Sequence, residues 1–121
     1  FKVYLIDNFS NNKTDIPIKK SLLYKKDINK INQIKNLKNI NAIIHLAASA
    51  DILISKKNEN KYYKDNISGL QEVLRFCSEK NVKKVVFASS ASVYGDTKNK
   101  KVNENFSLKP NHYYGYTKLI G

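Results

Sequence analysis

The 121-residue chain has no methionine, no tryptophan, one cysteine, two prolines and four glycines. Each scarcity excludes something. A single thiol, Cys77, closes no internal disulfide, so the chain is not a cystine-stapled secreted scaffold, and a reducing, cytoplasmic setting is expected. On the spacing Ile67, Leu70, Leu74, Cys77 the thiol falls on an apolar helical face, which predicts a small core residue rather than a nucleophile. The glycines, Gly69, Gly95, Gly115 and Gly121, are too scattered to form a glycine-rich phosphate-binding loop. No apolar stretch approaches the ~20 residues of a membrane span, and no charged-then-apolar leader opens the chain. With no initiator Met, the chain opens directly on Lys2-Val3-Tyr4-Leu5-Ile6-Asp7 and stops on Leu119-Ile120-Gly121. It reads as a fragment of one domain, truncated at both ends. No His, Cys or carboxylate grouping has metal-ligand spacing, so no metal is assigned.

Negative charge is scarce too: 22 Lys and Arg stand against 10 Asp and Glu, a formal net charge of +12. Such an excess raises nucleic acid or an anionic membrane as partner. A plainer explanation outweighs it. The chain holds 21 lysines, 16 asparagines and 13 isoleucines, all with AT-rich codons, and the lysines are scattered rather than gathered in a stripe. There is no helix-turn-helix, zinc-knuckle or single-strand-binding aromatic pattern. Neither nucleic acid nor membrane is expected as a partner.

What is present is an alternation of apolar runs and helical periodicities. Strands are predicted near 2–7, 21–25, 41–46 and 82–89, and helices near 28–38, 50–57, 60–80 and 112–121. This order is the signature of a parallel sheet covered by helices on both faces. The polar, aperiodic stretch 95–111 ends with Pro110 just before the last helix and reads as a surface loop.

Two segments carry chemistry. Tyr114-Gly-Tyr-Thr-Lys118 puts a phenol and an ammonium four residues apart, hence on one helix face. A free phenol ionises near pH 10, so one acting as a base at neutral pH needs a fixed positive charge beside it. Alone the pair is weak, because lysine and tyrosine are common here. In the run that ends at Asp96, about twenty residues earlier, Val85-Val86-Phe87 reads as a buried strand, so Ala88-Ser89-Ser90-Ala91-Ser92 falls at its carboxyl end, where open α/β sheets bind ligands.

Taken with LIDNFSNN, KKDI, AIIHLAA, DNISGL and VVFASSASVYGD, the YGYTK segment resembles the extended short-chain dehydrogenase/reductase family, in particular its NAD-dependent nucleotide-sugar epimerases and dehydratases of the UDP-glucose 4-epimerase type. The match covers essentially the whole chain in order. It implies an α/β fold: part of a Rossmann-like, doubly wound parallel sheet, from the second strand to the start of the YxxxK helix, without the first strand and glycine-rich loop. It implies NAD as cofactor, a nucleotide-sugar substrate, and a homodimer for the full-length protein. The activity implied is epimerisation by hydride transfer through a keto-sugar, with the fragment alone inactive; a reductase or dehydratase of the same family is the alternative.

The resemblance carries over residue by residue. Tyr114, Lys118 and Ser90 match the catalytic positions. Tyr114 would move the proton, Lys118 would act on the phenol and the nicotinamide ribose, and Ser90, with Ser92 nearby, would orient the sugar hydroxyl; Ser90 otherwise merely suits a strand-to-loop junction. Asp7 would take the adenosine ribose, and Asn8 through Asn12 would line that pocket; the plain alternative for Asp7 is a turn former. Asp27 and Ile28 would hold adenine, while Asp27 also suits a helix N-cap. Leu46, Ala47 and Ala48 would allow close approach of the dinucleotide, and His45 would be structural. Asn66, a poor helix-interior residue, would contact the cofactor. Two departures stand out: the missing glycine-rich loop, and the absence from Leu46-Ala47-Ala48-Ser49-Ala50 of the Lys found in many UDP-galactose epimerases. Ser90-Ala91-Ser92 also lacks the Asp and Glu of the dehydratases.

Overall fold

The computed structural model describes residues 2–11, 22–98 and 100–121. Strand β1 (Leu5–Asp7) pairs in parallel with β2 (Leu23–Lys25), Asp7 opposite Lys25. Strand β3 (Ala42–His45) pairs in parallel with β4 (Lys84–Phe87), His45 opposite Phe87. Among the described residues the pairs form two separate two-stranded sheets.

One helix joins them. In α3 (Gly69–Lys80), Val73, Phe76 and Cys77 are buried and meet Ile31, Ile34 and Leu37 in the core. Ile6 of β1, Tyr24 of β2 and Ile43 of β3 pack on the same cluster, so both sheets share one side of one core. Each large apolar side chain removed from water there contributes about 1.5–3 kcal/mol. The helix stops at Asn81, whose left-handed backbone (φ 55°) turns its N–H back to the carbonyls of Cys77 and Ser78. The other side of the β3–β4 sheet is bare among the described residues: Ile44 is 68% and Val86 57% exposed. The expectation of Val85–Phe87 as a buried strand is corrected here. Side chains alternate along a strand, and β4 turns Phe87 toward packed residues while Val86 points away from them.

The helices differ from expectation in instructive ways. The segment predicted as an α-helix over 28–38 is a 3-10 helix at Ile28–Gln33, with Lys30 off helical geometry and extended backbone at Ile34. Its apolar residues Ile28, Ile31, Ile34 and Leu37 recur every three positions, the period of a 3-10 turn rather than of an α-helix. Of the helix predicted over 50–57, one turn forms, α1 (Ile52–Ser55), capped by Asp51, whose side chain accepts from the Ile54 N–H. The helix predicted over 60–80 is realised as a continuous helical run: α2 (Glu59–Tyr62), a π-helical turn (Tyr63–Ser68) and α3. The last helix, α4, spans Tyr113–Ile120.

Candidate active site

Helix α4 begins at His112, whose Nδ1 accepts from the Gly115 N–H at 3.1 Å and so satisfies one orphan donor of the first turn. The imidazole lies parallel to the ring of Tyr114, centroids 6.1 Å apart. One turn on, Lys118 is drawn inward. It is 6% exposed, its Nζ donates to the Ala88 carbonyl at 2.8 Å, and the ammonium lies 4.7 Å from the centre of the Phe87 ring. Carbonyl dipole and ring face both favour a cation. Burial nevertheless pulls the Lys118 pKa below its ordinary 10.5. The helix thus carries a half-buried phenol and, one turn later, an ammonium anchored at the exit of β4.

The serine segment is fixed against the same helix. Ser90 caps a 3-10 turn at Ala91–Tyr94, its Oγ accepting from the Ser92 N–H at 3.2 Å. This is the strand-to-loop role, and among the described residues no hydrogen bond joins Ser90 to Tyr114. The 3-10 turn and α4 pack together because Gly115 has no side chain: a Cβ there would lie 2.8 Å from the Ser92 carbonyl oxygen and 2.9 Å from Pro110. The Tyr114–Lys118 helix and the Ser90–Ser92 turn thus lie against each other at the exit of β4.

The other expected residues form a second corner. Asp7 ends β1 and accepts from the Phe9 N–H at 2.7 Å, while Asn8 accepts from the Ser10 N–H at 2.9 Å; both side chains are exposed and shape a tight turn. Asn12 lies outside the described residues. Asp27 does cap the 3-10 helix, accepting from Asn29 through the backbone at 2.9 Å and the side-chain amide at 3.0 Å. Burial pushes the Asp27 pKa up, but the two Asn29 bonds together with the charges of Lys64 and Lys30 hold the carboxyl below its ordinary value. Ile28 packs toward the core, where Gly69 makes room for it. The Asn29 amide also reaches the Lys64 carbonyl at 3.3 Å, tying this corner to the π turn. After β3, Leu46 is exposed while Ala47 and Ala48 are half-buried. Asn66 is buried and grips Ser49 and Thr117.

His45, at the end of β3, is buried against Phe87, ring centroids 6.0 Å apart. Burial first, and the Lys118 charge second, hold its pKa below the ordinary 6.5. As pH falls through 6.5 the unfolded chain takes up a proton that the folded chain refuses. Stability therefore falls with pH until the depressed folded-state pKa is passed. Denaturation midpoints are expected to drop between about pH 7 and pH 5, and to drop less in His45→Leu, which has nothing to protonate there. Parallel pH curves for the two proteins would refute this.

Sequence reasoning missed Ser49, Thr117, the Lys61–Asp65 pair and the Ala88 carbonyl. Lys61 and Asp65 were visible as a helical i, i+4 pair. Thr117 sat inside the YGYTK motif without a role. A backbone carbonyl leaves no mark on a sequence.

The profile of the NAD dependent epimerase/dehydratase family matches residues 1–121. A UDP-glucose 4-epimerase of Dictyostelium discoideum is 42% identical over 81 residues, which are 67% of this chain and 24% of that protein. A crystal structure of a UDP-glucose 4-epimerase superposes with a TM-score of 0.90 at 27% identity, covering 98% of this chain and 37% of that one. A UDP-N-acetylglucosamine 4-epimerase from Methanobrevibacter ruminantium, solved with UDP-N-acetylmuramic acid, does so with a TM-score of 0.87 at 31% identity, covering 98% of this chain and 40% of that one. The chain thus spans about a quarter of the length of the curated relative it matches. With the profile matching from end to end, the chain belongs to the NAD dependent epimerase/dehydratase family.

Proposed function

We propose that this chain forms the catalytic segment of an NAD-dependent nucleotide-sugar 4-epimerase. The observation that carries the reading is the meeting of three elements at the exit of β4: the Tyr114–Lys118 turn of α4, the Ala88 carbonyl that anchors Lys118, and the Ser90 turn packed through Gly115. When bound, NAD supplies the hydride acceptor and donor. The donor chemistry here suits the two ends of such a cofactor. Lys118 spends one of its three N–H bonds on Ala88, leaving two for the phenol and a ribose hydroxyl. Asp7 spends one carboxylate oxygen on Phe9 and is otherwise open among the described residues to a ribose diol. Ala47 and Ala48 offer small side chains between them. Nothing among the four glycines forms a pyrophosphate cradle.

In this reading Tyr114, as phenolate, takes the proton of the sugar C4 hydroxyl while the C4 hydrogen leaves as hydride, and C4 becomes a carbonyl. The Ser90 hydroxyl proton, free of any protein acceptor among the described residues, orients that oxygen. Returning the same hydride to the opposite face, with the proton given back by Tyr114, inverts C4. Dehydration would need an extra acid and base. Ala91–Tyr94 presents no carboxylate, and the next one, Asp96, is exposed and bonds the Lys98 N–H. Epimerisation is therefore favoured over elimination. The buried free thiol of Cys77 suits a cytoplasmic protein, and a homodimer is proposed for the full-length enzyme. Among the described residues no helix is long and apolar enough to cross a membrane.

The test is to incubate a protein carrying this segment with UDP-galactose in deuterated water and follow products by NMR. Appearance of UDP-glucose without deuterium at C4 is expected, since the hydride never leaves the site. Deuterium at C4, a 4-keto-6-deoxy product, or stoichiometric consumption of added NAD(H) would overturn the reading. Other UDP-hexoses run in parallel identify the sugar.

A further inference from the structure

Ser49, Asn66 and Thr117 are 6%, 3% and 2% exposed, and all three carry polar groups. Their hydrogen bonds form one directed path. The Asn66 Oδ1 accepts from the Ser49 N–H at 2.8 Å, and its Nδ2 donates to the Ser49 carbonyl at 3.0 Å and to Thr117 Oγ1 at 2.9 Å. Having accepted that bond, Thr117 spends its one hydroxyl proton on the carbonyl of Tyr114 at 2.8 Å. The polarity is fixed at every link, because flipping the Asn66 amide would oppose two acceptors at Ser49. At the far end the Ser49 hydroxyl donates to Asp65 at 2.6 Å and accepts from Lys61 at 2.7 Å, while Lys61 and Asp65 pair with each other.

We propose that Thr117, held by Asn66, is a positioning residue for the Tyr114 phenol. Tyr114 lies in the first turn of an eight-residue helix, a length that is marginal in water without tertiary support. Besides the His112 cap and the close packing of Gly115 on Ser92 and Pro110, that turn is held to the rest of the fold through the Thr117 bond to the Tyr114 carbonyl. The tie runs to the π turn and, through Ser49, to the loop that follows Ala47 and Ala48. The helix wall and the loop wall of the proposed site are thereby set at one separation. Burial makes the tie specific, since removing the Thr117 hydroxyl would leave the buried Asn66 amide short of an acceptor away from water. The inference rests on the reading that Tyr114 moves the proton.

In a protein carrying this segment, Thr117→Val keeps the shape and removes the hydroxyl. Proton transfer is sensitive to placement, a ~1 Å error costing on the order of 100-fold. A fall in kcat of about 10- to 100-fold is expected, with KM for UDP-galactose within about threefold and a larger solvent deuterium isotope effect on kcat. Thr117→Ser restores the hydroxyl and should recover kcat to within about threefold. A merely structural Thr117 would lower the melting temperature and leave kcat of the folded enzyme and its isotope effect alone; Thr117→Val with normal kcat overturns the proposal. Thr117→Ala carries the same expectations should the Val variant fail to accumulate. If neither folds, wild-type amide exchange decides: protection at Tyr116–Lys118 comparable to α3 supports the tie, and exchange at the rate of free peptide overturns it. An active Tyr114→Phe would sink the underlying reading, whereas an inactive one beside a fully active Thr117→Val sinks this inference alone.

Discussion

Tyr114→Phe should abolish nearly all turnover of UDP-sugars while leaving the fold and bound NAD in place. The phenol hydroxyl is the single atom removed. The half-buried ring, its parallel contact with His112 and the helix around it stay as they are. No hydrogen bond within the described residues uses the Tyr114 hydroxyl, so its loss orphans no buried partner, and stability should change by less than about 1 kcal/mol. The chemical loss is of another order. A positioned acid or base contributes about 10²- to 10⁴-fold, and here the same oxygen accepts the proton in one half-reaction and returns it in the other. A fall of at least about 10³-fold in kcat is expected, with the melting temperature within a few degrees of wild type. Single-turnover kinetics in the presence of UDP-galactose, with cofactor content read from absorbance, measure both quantities. Turnover within tenfold of wild type at any pH would remove Tyr114 from the mechanism and leave Ser90 or an unassigned group to move the proton.

Much of the arrangement was legible because the chemistry sits in contiguous motifs whose local structure follows from spacing. YGYTK could form a helix face, and it did; the serines after Val85–Phe87 had to follow a strand, and they do. Asp27 was read as both cap and ligand from one side chain, and the cap is visible in its bonds to Asn29. Illegible parts fall into two kinds. Period errors are the first: Ile28, Ile31, Ile34 and Leu37 look helical to an eye expecting 3.6, yet their spacing of three already pointed to a 3-10 turn. The second kind is long-range. Asn66 and Gly69 looked wrong for a helix interior, but sequence could not say that Asn66 would reach 17 residues back to Ser49 and 51 forward to Thr117. The π turn at Tyr63–Ser68 is where those bonds are made, and bulges of this sort gather at functional sites. Exposed Ile44 and Val86 likewise reflect what lies opposite a sheet face, which no window of local sequence records.

The largest effect on stability is expected from Gly95→Ala. Gly95 closes the 3-10 turn that carries Ser92, with φ 67° and ψ −140°, a backbone conformation that only glycine adopts without strain. Space is closed as well. A Cβ at this position would fall on the Lys109 carbonyl oxygen, with the Lys109 carbonyl carbon at 2.9 Å and the Pro110 Cα at 3.6 Å. All three neighbours are backbone, which cannot swing aside as a side chain would. Backbone strain of about 1–3 kcal/mol adds to an overpacking cost of similar size, so destabilisation of about 4 kcal/mol is expected. The effect reaches the site. Residues 109–110 form the neck of the polar loop, and the buried Pro110 packs beside Gly115 of α4, so pushing the neck outward moves the helix that bears Tyr114 and Lys118. Urea denaturation of the wild-type and variant proteins measures the first consequence, and kcat well below the denaturation midpoint measures the second. An unchanged midpoint would mean that the 95–110 neck is not a fixed part of the fold. A lowered midpoint with full kcat would mean instead that the neck supports the fold without setting the position of α4.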